Sequence, residues 1–315
     1  MTAHQAIGYY VMGFLCHFWV DWFPFLRFLP DWFPGAGFKT FGKEGKALLD
    51  RFANEPFDAV LDQLKHGRVE HISYSSRLIE EKGGLSASAE DIDLIRWSCA
   101  SLFGGGSSTS VGIIATFFIL IPLYPEFARR AQEEIDSVTG RDRLPNLEDM
   151  PRMPYFNALL QEVMRTYPSV PLGIPHCASE EIPFKSYVIP KGAIIYGNIW
   201  GMLHDPEQFP EPFTFNPDRF LSSTPEPDPR QYIYGFGRRV CPGFHVANNG
   251  IWIICSTILA LFDAQPNEDL LARVADVGGR DSKDLYKVIH GYASGRSPCN
   301  LVLRDQVAAS LLEHS

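Results

Sequence analysis

Cys241 is the residue of this sequence best placed to bind a metal. It lies in the segment 234–243, Tyr-Gly-Phe-Gly-Arg-Arg-Val-Cys-Pro-Gly, whose glycines permit tight turns and close backbone approach. The apolar stretch after it predicts a helix from Gly243 to Phe262, with Pro242 suited to the first helical position. A cysteine before a helix lies at the positive end of the helix dipole, among unpaired N–H groups. Both effects favour the thiolate, which is the form that ligates iron.

Arg239 lies two residues before this cysteine and offers a fixed guanidinium fork to a carboxylate, such as a haem propionate. A buried cysteine in a glycine-rich turn is the alternative interpretation, and it would be preferred for an isolated Cys-Pro-Gly tripeptide. The complete ten-residue segment favours the metal-binding interpretation.

Size and composition indicate an ordinary globular protein. The chain has 315 residues, of which 45% are hydrophobic and 21% are charged, and this balance does not indicate disorder. The net charge of −9 argues against a general nucleic-acid-binding protein, so no nucleic-acid partner is expected. The six cysteines contain no Cys-x-x-Cys pair, which excludes the usual zinc spacings and favours a reducing compartment.

The N-terminal segment, residues 6–33, is dense in aromatic and aliphatic residues. Charged residues and prolines interrupt it, so its longest apolar run is too short for a membrane helix. It also lacks the basic region and the cleavage site of a signal peptide. Two interpretations stay open: a segment at a membrane interface or pocket wall, and a core helix followed by a loop.

The rest of the sequence predicts a mainly helical fold with small sheets. Residues 44–83 have the pattern of helices with polar connections. Prolines and glycines punctuate residues 168–220 and predict short strands and loops, and the tail, roughly 285–304, predicts a hairpin. Helices are predicted at Ser88–Leu120, closed before Pro122, at 125–140 and at Tyr155–Tyr167.

The long helix predicted at 88–120 contains a cluster of glycines followed by hydroxyl residues. Each interior glycine costs about 1 kcal/mol relative to alanine, so the cluster indicates a bulge or a ligand against the backbone. The hydroxyl groups could hold a water and pass protons to a bound oxygen species. Close helix packing, with hydroxyls bonded to the preceding turn, is the alternative. The cluster comprises Gly104, Gly105, Gly106, Ser107, Ser108, Thr109 and Ser110.

The predicted helix 155–167 carries an apolar stripe and, on another side, Glu162 and Arg165. Such a pair on a helix surface is worth about 0.2–0.5 kcal/mol. Burial or a third partner would turn it into a structural lock. Arg219, in the string Phe-Asn-Pro-Asp-Arg-Phe, is the candidate partner because arginine bridges carboxylates in forked geometry.

Together, these four segments resemble the motifs of the cytochrome P450 family, the haem-thiolate monooxygenases. Residues 105–110 match the oxygen-activation segment of the family's long helix, and residues 162–165 match its Glu-x-x-Arg signature. Residues 215–220 match the segment whose arginine completes a Glu-Arg-Arg lock, and residues 234–243 match the haem-ligand loop. The resemblance extends from about Phe14 to Arg304 and is closest to the fungal microsomal branch.

The resemblance implies a mainly α fold with small β-sheets, in a single haem-binding domain over residues 1–315. It implies heme b as the cofactor, with Cys241 as the iron ligand and with Arg239 and His176 at the propionates. Glu162, Arg165 and Arg219 are implied to be structural, and Thr109 and Ser108 catalytic. The other residues implied at the cofactor are Tyr234, Gly237, Gly243, Gly105 and Gly106.

The implied activity is that of an oxidoreductase of secondary metabolism, which inserts one oxygen atom from O2 into an apolar organic substrate. Electrons are expected from NADPH through a P450 reductase. The family implies an endoplasmic reticulum membrane location. No membrane anchor is expected within this sequence, and peripheral membrane contact is expected through residues 6–33.

Departures from the family pattern keep alternatives open. Tyr234 replaces the usual phenylalanine at the start of the loop, and Ser108 replaces the acid that usually precedes the conserved threonine, here Thr109. That acid is thought to support proton delivery, so isomerase or peroxygenase chemistry is one alternative. Met1 matches a point near the pocket-roof helices, so the chain is expected to hold the C-terminal two-thirds of the family fold. A non-catalytic haem-binding remnant or fragment is therefore the other alternative.

Overall fold

The computed structural model of the chain describes residues 18–292 and 297–313. The described residues form a mainly helical fold with small antiparallel sheets, which confirms the predicted fold class. Residues 6–17, the first part of the aromatic segment, lie outside them. The chain divides into two compact units, Met1–Ser108 and Thr109–Ser315. That residues 1–315 act as one haem-binding domain stays a prediction.

The first unit is helical throughout its described part, and it has a small core of its own. The side chains of Phe57, Ile79 and Ile95 pack together in this core. The helices predicted within residues 44–83 are confirmed. The elements are α1 (Trp19–Trp22), a 3-10 turn (Pro24–Phe28), α2 (Gly37–Lys65), α3 (Tyr74–Glu81), a 3-10 turn (Gly84–Ser86) and the first part of α4 (Ala89–Leu123).

Helix α4 differs from the sequence-based expectation at two points. Residues 104–106 are α-helical, so the glycine cluster makes no bulge. The helix also does not end before Pro122, but runs to Leu123. The backbone N–H of Tyr124 still donates to the carbonyl oxygen of Leu120 (3.0 Å), and the last turn is buried in the core, which compensates for the N–H that proline lacks.

The core of the second unit forms around α9, a helix that the sequence predicted to within one residue at each end. The indole N–H of Trp252 donates to Asn157 (2.8 Å), and its ring packs edge-on against Phe156 of α6. The helices predicted at 125–140 and 155–167 are confirmed with small shifts at their ends. The helices are α5 (Pro125–Thr139), α6 (Pro154–Thr166), α7 (Ile199–Leu203), α8 (Arg230–Ile233), α9 (Phe244–Leu261), α10 (Glu268–Asp276), α11 (Leu285–Tyr292) and α12 (Gln306–Glu313), with 3-10 turns at Leu147–Arg152, Pro217–Phe220 and Gly237–Arg239.

The sheets of the described residues are antiparallel strand pairs, and the short strands predicted between 168 and 220 are confirmed. The hairpin predicted at 285–304 is wrong, because 285–292 is helical and the following strand pairs with the segment after α9. Residues 285, 288, 289 and 292 are apolar and buried, at helical spacing. The pairs are β1 (His176–Cys177) with β4 (Ile194–Ile195), β2 (Ile182–Phe184) with β3 (Tyr187–Ile189), and β5 (Phe262–Pro266) with β6 (Cys299–Leu303).

Two of the described helices, α4 and α9, are long and apolar enough to span a membrane when judged by length and composition alone. Core helices pass the same test. The C-terminal part of α4 and much of α9 bury their side chains in the core of the second unit, so this finding carries little weight.

Candidate functional site

Residues Tyr234–Gly243, here called the cysteine loop, fold back on themselves. Gly235 and Gly237 have φ angles of 78° and 58°, a region that side-chain-bearing residues rarely adopt. The N–H of Cys241 donates to the carbonyl oxygen of Tyr234 (2.8 Å) and closes the loop. A Cβ atom at Gly243 would lie 3.8 Å from the Cys241 sulfur. The half-buried cysteine is therefore held by its own backbone at the base of a closed loop.

A short turn joins this loop to α9. The expectation that Pro242 is the first helical residue is wrong, because Gly243 is the N-cap and Phe244 begins the helix. The carbonyl oxygen of Cys241 accepts the N–H of Phe244 (3.3 Å), and that of Gly243 accepts the N–H of Ala247 (2.8 Å). Cys241 thus precedes the helix N-terminus by one turn of backbone.

Arg239 and His176 were expected at the propionates of a haem group. Both are exposed, and neither side chain makes a hydrogen bond or ion pair with another residue in the part of the chain that the structure describes. His176 lies in β1, opposite Ile195 of β4. The ring of Phe236 approaches Gly197 so closely that a Cβ atom there would be 3.2 Å away. The structure therefore brings the cysteine loop beside the strand pair that carries His176.

The groups around Cys241 fit a prosthetic group that supplies most of its own metal ligands. Among the described residues, no group of three or more His, Cys, Asp or Glu side chains could hold a metal ion. A haem group would bring most of the iron's ligands with it and would need one thiolate from the protein, which Cys241 would supply. Phe236 and Val240 of the cysteine loop are 47% and 50% exposed. An apolar ring with carboxylates suits these side chains and the unpaired Arg239 guanidinium.

Ser108 and Thr109 are half-buried neighbours in α4. The hydroxyl of Ser169 donates to the Thr109 carbonyl oxygen (2.8 Å), and it lies 2.8 Å from a Cβ atom built at Gly112, so packing explains that glycine. Packing does not explain Gly105 and Gly106. Apart from the chain neighbours and the backbone of the same helix turn, a Cβ atom at either position would contact no atom of the described residues within 4 Å.

Glu162, Arg165 and Arg219 are brought together in the second unit, and they are called here the buried lock. Glu162 and Arg165 are fully buried, and Arg219 is 8% exposed. Arg165 donates through Nε and Nη2 to the two Glu162 oxygens (2.7 and 2.9 Å). Its Nη1 reaches the carbonyl oxygens of Leu203 (2.9 Å) and Pro212 (2.8 Å). Nε of Arg219 donates to Oε1 of Glu162 (3.1 Å).

Glu226 is a member of this cluster that the sequence analysis missed. Its two carboxylate oxygens accept from Nη1 of Arg219 (2.8 and 2.7 Å), and its N–H donates to the Arg219 carbonyl oxygen (3.1 Å). Burial opposes the charge of Arg219, but Glu162 and Glu226 together raise its pKa. Only charge counting could have indicated Glu226, because two arginines facing one buried carboxylate leave an uncompensated positive charge.

His204 lies beside the lock, directly after α7. Its ring stacks on Trp200 with 3.8 Å between the ring centroids, and its Nδ1 lies 2.9 Å from the Trp200 carbonyl oxygen. Burial lowers the pKa of His204 to about 4, although the Trp200 carbonyl opposes this shift. The ring is therefore neutral at physiological pH.

Comparison with known proteins places these features in a wider context. A family model described as Cytochrome P450 matches residues 2–274. Cytochrome P450 monooxygenase ppsD of Aspergillus oryzae is 41% identical over 78% of this chain and 47% of its own length. Cytochrome P450 monooxygenase claR of Ampulloclitocybe clavipes is 37% identical over 93% of this chain and 53% of its own. An O-methylsterigmatocystin oxidoreductase of Aspergillus flavus is 37% identical over 79% and 47%. The chain spans about half the length of these relatives.

Proposed function

The chain belongs to the cytochrome P450 family, and from this premise we propose that it is a haem-thiolate monooxygenase whose iron is ligated by Cys241. The observation that carries the proposal is the closed cysteine loop, with the half-buried Cys241 at its base and an exposed, unpaired Arg239 beside it. Relatives named as cytochrome P450 monooxygenases support the reaction class.

In this proposal Cys241 binds the iron of heme b as a thiolate, and Arg239 and His176 donate to the propionates. Tyr234, Gly237 and Gly243 shape the loop. When bound, the haem supplies activation of O2, and a thiolate ligand pushes electron density in favour of O–O cleavage. The chain's part is to orient the sulfur and to neutralise the propionates.

The hydroxyl groups of Thr109 and Ser108 are proposed to hold and pass the protons that the reaction consumes. Gly105 and Gly106, on the same helix, are proposed to let small ligands approach its backbone. The substrate is an apolar organic molecule of secondary metabolism, and an NADPH-dependent P450 reductase supplies the electrons.

Ser108 favours a second candidate function. A serine side chain carries no carboxyl group to relay protons from solvent. Isomerase or peroxygenase chemistry, which requires no reductase, is therefore compatible with this site. Turnover that proceeds with a peroxide alone, and not with NADPH and reductase, would select this candidate. Haem binding without turnover in either assay would select a non-catalytic haem-binding protein.

Membrane contact is proposed for the aromatic segment, in keeping with an endoplasmic reticulum location. Its described part, residues 18–33, exposes large aromatic side chains, and such rings favour the interface between lipid and water. Vesicles of zwitterionic lipid should quench tryptophan fluorescence when they carry brominated acyl chains, and substitution of the exposed tryptophans by alanine should reduce the quenching. The exposed rings are Trp19, Trp22, Phe23, Phe25, Phe28, Trp32 and Phe33.

The deciding experiment is a carbon monoxide difference spectrum of the reduced, haem-reconstituted 315-residue chain. A strongly red-shifted Soret band is expected in the wild type, and it should be lost in Cys241→Ala. Cys177→Ala is the matched control, because Cys177 is an exposed cysteine of β1 and should keep the band. An unchanged band in Cys241→Ala would exclude this residue as the ligand.

A further inference from the structure

A side-chain hydrogen bond joins the start of the cysteine loop to the helix that follows it. The hydroxyl of Tyr234 donates to Oδ1 of Asn248 in α9 (2.9 Å). The Tyr234 ring also packs edge-on against Phe244, with 4.7 Å between centroids and 79° between the ring planes. Because Phe244 and Asn248 are four residues apart, Tyr234 lies along one face of the first turn of α9.

The same residue holds the cysteine through its backbone. The carbonyl oxygen of Tyr234 accepts the N–H of Cys241, so one residue is tied both to the helix and to the expected iron ligand. Phenylalanine, the residue usual in the family pattern, would keep the ring contact and the backbone bond but could not bond to Asn248.

Without this bond the loop has two points about which it can turn. Gly235 and Gly237 both have positive φ, and they lie between the residue that bonds to the helix and the cysteine. Glycine loses more conformational freedom on folding than any other residue, so such a loop needs specific contacts to stay in one arrangement. The bond to Asn248 supplies a contact on the side of the loop that faces α9.

We propose that the Tyr234–Asn248 hydrogen bond is a clamp that sets the direction of the Cys241 sulfur relative to α9, and that Asn248 is a positioning residue for the iron ligand. The proposal rests on the proposed function, since it assigns the sulfur to haem iron. The chain offers a close control. Tyr232, two residues before the loop, donates its hydroxyl to the side-chain oxygen of Gln208 (2.7 Å), which is not part of α9.

The first test needs no haem and measures exchange of the Cys241 backbone amide, by NMR on the full chain. Tyr234→Phe and Asn248→Ala should each speed this exchange roughly fivefold, the size expected for loss of one neutral hydrogen bond. Tyr232→Phe should leave it unchanged, and the double variant Tyr234→Phe/Asn248→Ala should exchange no faster than either single variant. Equal exchange in Tyr234→Phe and wild type overturns the proposal, whether or not haem binds.

The second test uses the haem-reconstituted chain. The ferrous carbon monoxide complex of Tyr234→Phe and of Asn248→Ala should convert from the thiolate-ligated to the thiol-ligated spectrum several times faster than wild type, and Tyr232→Phe should match wild type. If Tyr232→Phe accelerated this conversion as much as Tyr234→Phe does, the acceleration would reflect a general loss of stability, and the clamp would be overturned. Absence of the thiolate spectrum in wild type would instead contradict the proposed function, and the amide exchange would still decide on the clamp.

Discussion

The buried lock and the cysteine loop use the same residue type, arginine, in opposite ways. Arg165 is fully buried, and each of its three nitrogens donates to Glu162 or to a backbone carbonyl oxygen. Arg239 is exposed, and its guanidinium has no partner among the described residues. Arg165 therefore has its hydrogen-bond partners within the protein, whereas Arg239 offers donors for which the described part of the chain supplies no acceptor.

This difference between the two arginines indicates a structural role for the buried one and a ligand-binding role for the exposed one. Desolvating a charge is costly unless a partner compensates it, so a buried arginine must be fully paired before the fold is stable. An exposed arginine has no such requirement, and its guanidinium remains available to bind an anionic ligand. Breaking the lock should therefore lower the free energy of unfolding more than a change in the cysteine loop does, whereas the cysteine loop should dominate haem affinity. The predictions below test this division, beginning with the largest effect on stability.

Glu162→Gln should cause the largest decrease in the free energy of unfolding. The substitution keeps the shape but leaves two buried arginines with one carboxylate, so the free energy of unfolding should fall by about 3–5 kcal/mol. Urea unfolding followed by circular dichroism measures it. Glu81→Gln is the control, because Glu81 pairs with Arg77 on an exposed helix surface and should cost less than about 1 kcal/mol. Equal losses would contradict a special role for the buried lock.

The stability of the region around the buried lock should also be more sensitive to acid than that of the cysteine loop. His204 has a pKa of about 4 in the folded chain against an ordinary value of 6.5, so the unfolded chain binds the proton more tightly. Its stabilising effect is complete above pH 6.5 and decreases as the pH falls towards 4, by roughly 3 kcal/mol. Unfolding measured from pH 7.5 to 4 should show this loss in wild type, and His204→Gln should reduce it. The same pH dependence in both proteins would contradict this prediction.

Glu226→Gln should have a smaller effect than loss of Glu162, since Glu226 is less buried and Arg219 keeps its bond to Glu162. Loss of a charged hydrogen-bond partner predicts a decrease of about 1.5–3 kcal/mol in the free energy of unfolding. Glu207→Gln, at an exposed position, is the control and should be neutral. A neutral Glu226→Gln variant would show that the lock is complete without a second carboxylate.

The sequence predicted the buried lock and the cysteine loop with different completeness. Glu162, Arg165 and Arg219 were chosen because their types and spacing allow pairing, and the structure brings them together. Glu226 was missed because its contact depends on how the segment after Arg219 folds back, which no periodicity in Thr-Pro-Glu-Pro reveals. The helix α9 was predicted well since its apolar run is long, but Pro242 was taken as its first residue, two positions before the observed start at Phe244, because helix ends are decided by local backbone geometry.

The same contrast holds for the fold. Start and stop residues predicted α5, and strong apolar periodicity predicted α6, almost to their ends, whereas the tail was assigned to a hairpin. Strand β6 pairs with β5, more than thirty residues earlier in the chain, and a pairing over that distance leaves no signal in local sequence. The helical spacing of Leu285, Val288 and Tyr292 was the available signal against the hairpin.

Arg239→Ala should have the smallest effect on stability and therefore tests the comparison most sharply. Removing an exposed, unpaired guanidinium should change the free energy of unfolding of the haem-free chain by no more than about 0.5 kcal/mol. Haem affinity, measured by titration and Soret absorbance, should nevertheless weaken by roughly tenfold or more, because a charged hydrogen bond is worth about 1.5–3 kcal/mol. Arg238→Ala, the exposed neighbour, should bind haem as wild type does. A large loss of stability without haem would instead make Arg239 a structural residue like Arg165, and the division between lock and loop would no longer hold.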